Sequence, residues 1–275
     1  MRGDILKKKL MVLCAVAIMI STCLTGCKMN SGKIRFGSAG IGGTYQIFGD
    51  TFANLISSKS KKYNIEVKTT AGSAANLRLL SKDYIQMAVA QMDLINDAYN
   101  RTGIFENDKK YQGYRAVASL YTEACQIVVP ADSDIQSMDD LEGKKVCIGE
   151  EESGTEQNAL QILNAYGLNE RLVDTVNLNY TDAAKKLKSG DIDAFFCTAG
   201  VQTTVINELS KQCKIRLVSL DQKGVSRLKK SYKFYTEYTI PAGTYVNQTK
   251  EIKTVGVKAV PVSYTHLRAH ETCAD

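Results

Sequence analysis

Histidine is nearly missing from this chain: its two copies, His266 and His270, both fall at the very end. A body without imidazole excludes the Ser-His and Cys-His relays that make a nucleophile. Cysteine does not make up the deficit as a metal ligand. Cys14 and Cys23 stand in an apolar leader, Cys27 closes it and Cys273 is terminal. Cys125, Cys147, Cys197 and Cys213 remain, with no CxxC spacing, so zinc is excluded and no metal site is expected. Cys125, Cys147 and Cys197 sit in apolar runs and read as small packing residues. GxxxxGK[ST] and GxSxG are both absent. A dinucleotide fingerprint fails as well, because Gly40-Ile41-Gly42 is followed by Tyr45 where a third glycine is required. No dense Lys/Arg stripe with interleaved aromatics appears, which excludes nucleic acid as a partner. The formal net charge of +6 is mild and partly carried by the leader. No residue set reads as catalytic, and no cofactor is expected.

The leader itself is explicit. MRGDILKKK is a basic n-region and Leu10–Ile20 an apolar h-region too short to span a bilayer. Leu24-Thr25-Gly26-Cys27 follows and resembles the bacterial lipobox, in which the cysteine becomes the lipid-bearing first residue. Residues 1–26 are read as a lipoprotein signal peptide. The body is then expected outside the cytoplasm, anchored to the cell membrane through Cys27 without spanning it.

Strands alternate with helices in what remains. KIRFGSAGIGGTYQIFGDTFANLIS reads strand, glycine loop, helix, with Tyr45, Phe48, Phe52, Leu55 and Ile56 on one apolar face. NIEVKTTAGSAANLRLL repeats the theme, and IQMAVAQMD is a third strand. RAVASLYTEACQIVVP holds two more. KKVCIGEEESGTEQNALQIL opens a second strand–turn–helix unit, and IDAFFCTAG, KIRLVSLD and TVGVKAVPV are later strands. The alternation predicts an α/β fold with largely parallel sheets. No Pro/Gly/Ser linker separates the halves, so they are expected to share connecting strands.

Three strand-to-helix turns share one chemistry. They are Gly40–Tyr45, Ala71–Asn76 and Glu152–Glu156. Each places a hydroxyl at or near a helix start and offers free amides at the positive end of a helix dipole. Such ends attract anions. In open α/β sheets they lie where ligands bind, beyond the carboxyl ends of the strands. A small anion between two lobes would use all three.

The ordered set GSAGIGGTY, AGSAANLRLL, AVAQMD, NDAYNRTG, YRAVASLY, GEEESGTE, IDAFFCTAG and IPAGTY resembles the TAXI solute receptors of tripartite ATP-independent periplasmic (TRAP) transporters, over about Lys33 to Val260. The resemblance implies a two-lobe, type II periplasmic-binding-protein fold. Lobe 1 would span 27–122, with 254–260 returning to it, and lobe 2 would span 123–253. It implies a monomer that captures a small anionic or zwitterionic solute, glutamate-like or a related dicarboxylate, and delivers it to a membrane permease. Carried over by position, lobe 1 would supply Gly43, Thr44, Tyr45, Ser73, Asn76 and Gln91. Tyr121 would come from the connection, Ser153, Gly154 and Thr155 from lobe 2, and Ala199 and Gly200 from the far wall. Amides of Gly43–Tyr45 and Ser153–Thr155 would hold carboxylate oxygens, Asn76 and Gln91 would orient the ligand, and Tyr45 and Tyr121 would wall it. Two departures stand out. Tyr121-Thr122-Glu123 replaces the family's Y-P-E, and Ala199-Gly200-Val201-Gln202 replaces its A-G-x-P. If Glu152 faced inward it would favour a ligand with an ammonium group. It is expected to face water.

A sensory module for a membrane signalling partner, or an enzyme on the same fold, are the alternative readings. The last stretch stands apart. Val262–Thr272 reads as translated sequencing adapter, so 261–275 is expected to be a non-native tail, with lobe 1 left incomplete.

Overall fold

The computed structural model describes residues 33–265, apart from 111 and 170. The signal segment, Cys27, His266 and His270 lie outside the described residues. In chain order, β1 (Lys33–Gly37), α1 (Thr44–Lys59), β2 (Asn64–Lys68), α2 (Ser73–Ser81), β3 (Met87–Gln91), α3 (Met92–Asn100) and β4 (Tyr114–Ala116) build lobe 1. The chain then crosses along β5 (Thr122–Pro130). Lobe 2 follows as β6 (Lys145–Gly149), α4 (Gly154–Ala165), β7 (Asp174–Asn177), α5 (Tyr180–Ser189), β8 (Ala194–Ala199), α6 (Thr204–Gln212), β9 (Ile215–Leu217), α7 (Gln222–Ser231) and β10 (Thr236–Ile240). The long β11 (Ile252–Tyr264) leads back. Both lobes belong to the one unit that begins at Ile34.

The strands lie in the order β2-β1-β3-β11-β5-β8-β6-β7. The pairs β1–β3, β6–β7 and β6–β8 are parallel. Where the chain crosses between lobes the sheet turns antiparallel, since β11 pairs antiparallel with β3 and β5, and β5 with β8. The largely parallel expectation therefore holds only for the strand–helix units. The two connecting strands run against their neighbours because each enters the opposite lobe from its far end.

β11 passes from one lobe to the other. Gly256–Lys258 pair with β5, and Ala259–Ser263 pair with β3. The strand thus continues beyond Val260, where the sequence pattern placed its end. Pro261 sits opposite Val89, and Val262 sits opposite Ala88 with its side chain fully buried. Backbone pairing and alternate burial carry the strand on although the apolar run breaks.

Packing explains the layers. In lobe 1, Val89 and Ala259 face α1 while Ala88, Ala90, Val260 and Val262 face α2 and α3, as strand alternation requires. Phe36 is fully buried and meets Phe52 at 5.7 Å and Phe48 at 6.1 Å between ring centroids. A buried phenylalanine contributes roughly 1.5–3 kcal/mol. Leu55, placed on the same face from its spacing, is 53% exposed and faces solvent instead. In lobe 2, β8 is buried along its whole length, with Phe196 packed among α4 and α7 and Phe195 and Cys197 among α5 and α6. Its unbroken apolar run is what a strand covered on both faces needs. Cys125, Cys147, Cys197 and Cys213 are all free thiols. No described helix is long and apolar enough to cross a membrane.

Candidate ligand-binding site

The strand ends of both lobes face each other across a cleft. Helix α1 starts after Gly43, α2 after Gly72 and α4 after Ser153. Only Ser153 caps with its side chain, accepting from Glu156 N at 3.0 Å. Gly43 and Gly72 are the other two N-caps, so the expected hydroxyl cap holds at one start of three. Glycine is required at 72, where φ is +127° and the loop lies against Ser153 of the opposite lobe. The Ser73 hydroxyl is used differently. It accepts from Gln91 N at 3.1 Å and ties the start of α2 to the end of β3. First-turn amides of these helices have no carbonyl one turn earlier to bond. Among the described residues no side chain accepts from the Thr44, Tyr45, Gly154 or Thr155 amides.

The lobes are drawn together. Ala75 N donates to Glu152 O at 3.1 Å, and Arg78 Nη1 meets Glu152 Oε1 at 2.7 Å. Glu152 takes a left-handed backbone (φ +63°), which turns its carbonyl toward α2. From the other side, Thr181 and Thr203 hydroxyls donate to the Ile41 and Gly42 carbonyls of the glycine loop, at 3.3 and 3.2 Å. Gly154 approaches Gln91 so closely that a Cβ there would overlap Gln91 Oε1. The cleft encloses about 480 Å³, its open mouth included.

Its electrostatics were not expected. Glu123, on the first turn of β5 into lobe 2, is 2% exposed and accepts from the Tyr45 hydroxyl at 2.8 Å. Burial pushes its carboxyl up to about 8, against the donation from Tyr45 and Gln91. Burial likewise raises Glu150, which lines the cleft beside Gly40. Behind the cleft, Asp93 on α3 accepts from Asn158 Nδ2 of α4 at 3.3 Å, and burial raises it to about 6. Among the described residues neither lysine nor arginine lines the cleft.

Of the residues expected here, Gly43, Thr44, Tyr45, Ser73, Gln91, Ser153, Gly154, Thr155 and Ala199 do line one cleft. Asn76, Tyr121 and Gly200 do not. Asn76 is wholly buried, donates to Ser38 O at 2.7 Å and Val89 O at 2.9 Å, and accepts from Thr70 at 2.8 Å. Its amide is spent on holding β1, β3 and α2 together and cannot orient a ligand. Tyr121 and Gly200 pack against each other behind Thr44. Glu152 is half-exposed and paired with Arg78, so the inward carboxylate of the triplet is Glu150. Sequence reasoning also missed Tyr180 and Asn179. Tyr180 bridges Thr155 Oγ1 at 2.5 Å and Thr198 O at 3.0 Å. Asn179 caps α5 by accepting from Asp182 N, so NYTD was a fourth helix-start signal. Among the described residues no group of three or more His, Cys, Asp or Glu is placed to hold a metal ion.

Two lobes joined by β5 and β11 around a cleft of helix starts make a two-lobe fold of the type II periplasmic-binding-protein kind. The sequence profile of the NMT1-like family matches residues 36–271, and the chain belongs to that family. Solved structures agree on the fold. The periplasmic aliphatic sulphonate-binding protein SsuA from Escherichia coli matches with a TM-score of 0.51 at 15% identity, over 88% of this chain and 69% of its own. The substrate-binding protein of an amino acid ABC transporter matches at 0.52 and 16% identity, over 86% and 88%. Holo ArgBP from T. maritima matches at 0.52 and 13%, over 87% and 85%.

Proposed function

We propose that this chain is an extracytoplasmic solute-binding lipoprotein, held to the membrane through lipid on Cys27. It captures a small carboxylate-bearing solute between its lobes and delivers it to a membrane permease of the TRAP type. One observation carries the reading. First turns of α1 and α2 from lobe 1 and of α4 from lobe 2 converge on a single cleft, and no side chain among the described residues accepts from the Thr44, Tyr45, Gly154 or Thr155 amides. Amides from both lobes on one carboxylate would make the ligand itself part of the interface, so binding and closure are one event. The permease class rests on the ordered motifs shared with TAXI receptors, and the anchor on the leader.

Melting of the full chain, followed with an extrinsic dye, tests this against pyruvate, succinate, L-glutamate and the neutral L-amino acids. At least one compound should raise the melting temperature, by the linkage of ligand to the folded state. In Gly154→Val, whose side chain fills the cleft against Gln91, the rise should vanish. No rise with any compound, or an equal rise in the variant, contradicts the reading.

A further inference from the structure

The cleft is asymmetric in a way that helix starts alone do not explain. It offers amides on one side and bare acceptors on another. Glu123 and Glu150 are the acidic side chains that line it among the described residues; Glu123 is held protonated by burial and accepts from Tyr45, which leaves Glu150 as the charged one. Glu150 has no hydrogen-bond or ion-pair partner for its carboxylate among the described residues. Its Oε2 stands 3.0 Å from where a Cβ of Gly40 would be, so it reaches from lobe 2 over the glycine loop of lobe 1. A second acceptor is independent of Glu150. Gln91 is 2% exposed, lines the same cleft, and its Oε1 is buried with no donor. It aims at the first turn of α4, where Gly154 leaves room for it.

Glu150 and the buried Gln91 Oε1 face the cleft without a donor, and an unmet acceptor is costly where it is removed from water. A dicarboxylate would make this worse. One carboxylate would suit the helix starts, but the other would meet Glu150 and Gln91 Oε1, acceptor against acceptor. An ammonium group reverses the balance, because it brings three donors and one positive charge. A further anionic group on the ligand would still find no lysine or arginine in the lining.

We propose that Glu150 and Gln91 form an ammonium-receiving subsite, and that the ligand is a small amino acid whose side chain is uncharged. This deepens the solute-binding reading and rests on it. The carboxylate is held by the helix starts and the ammonium by the acceptor wall, and the cleft selects against net negative charge. Glutamate-like dicarboxylates, the solutes implied by the motif resemblance, are thereby discriminated against.

Calorimetric titration of the full chain with L-alanine, L-glutamine, L-glutamate and succinate tests the assignment, in the wild type and in Glu150→Gln. Glu150 is only half-buried, so the variant should fold, and its unliganded melting serves as the control. L-Alanine or L-glutamine should bind, L-glutamate should bind at least about tenfold more weakly than L-glutamine, and succinate should give no heat. Glu150→Gln should weaken the neutral amino acids about thirtyfold or more, since it removes one partner of a desolvated charge pair. If succinate or L-glutamate binds as tightly as L-glutamine and the variant is indifferent, the subsite is overturned while the solute-binding reading stands. If none of the four gives heat and none shifts the melting of the wild type, the solute-binding reading falls and the subsite with it.

Discussion

The hydroxyl of Tyr45, on the first turn of α1, donates to Glu123 Oε2 at 2.8 Å and so joins the glycine-loop helix of lobe 1 to the strand that enters lobe 2. Both groups are buried beside the cleft. Gln91 also faces Glu123, and Tyr121, Tyr180, Asp93, Cys125 and Cys197 are titratable groups around it, with no cation among these. Removal from water raises Glu123 to about 8 and Asp93 to about 6.

The sign of the resulting pH dependence is fixed. Both carboxyls keep a proton in the folded chain that they lose near their ordinary values, about 4, when unfolded. Stability from this source is complete below those values and is lost as pH rises through the folded ones. Urea midpoints of the unliganded chain should therefore fall between about pH 5 and 8. In Glu123→Gln the part of the fall above about pH 6 should flatten, because the carboxyl raised to about 8 no longer titrates.

Asn76 separates structure from binding. Asn76→Ala removes the donors that satisfy the Ser38 and Val89 carbonyls and the acceptor of Thr70. A loss of about 2–4 kcal/mol in unfolding free energy should follow, read from urea titration. Affinity of the protein that remains folded for its solute should be unchanged, which a ligand-orienting side chain would not allow.

Ser153 is the single side-chain cap among the three cleft helices. Ser153→Ala should cost about 1 kcal/mol, or roughly 2–4 °C of melting temperature in a chain of this size. Gly72→Ala should cost about 1–3 kcal/mol through its left-handed backbone. Solute affinity of the folded variant should change little, since the new methyl group would meet Ser153 of the facing lobe in ordinary contact at 3.6 Å.

The Arg78–Glu152 pair joins α2 to the loop before α4. Both side chains are partly exposed, at 24% and 45%, so the pair itself should add at most about 1 kcal/mol to stability. Glu152→Gln should leave the melting temperature nearly unchanged and speed solute release several-fold. Raising salt should narrow the difference between variant and wild type, measured as dissociation rate.

Elements with strong periodicity were legible in the sequence: the α1 unit, α2, β3, the β6–α4 unit and β8 all stand where spacing placed them. The weak strands β7 and β10 were not, because DTVN and TEYTI are short and half polar and gain their form from partners already paired. Helix starts were legible as a group because their chemistry is local. The acids were not. Nothing local distinguishes Glu150 from Glu152, and only the left-handed turn at Glu152 decides which carboxylate faces the cleft. Glu123 had one signal, a lone acid at the head of the apolar run ACQIVV, and its partner Tyr45 is too distant in sequence for spacing to reveal.

The most direct measurement is amide hydrogen exchange of the full chain with and without a mixture of the standard L-amino acids. Protection should rise at Thr44–Tyr45, Ser73–Ala74 and Gly154–Thr155 together, in both lobes, because one carboxylate takes up those first-turn amides. Unchanged exchange at all three turns, or protection confined to one lobe, would contradict a ligand held between them.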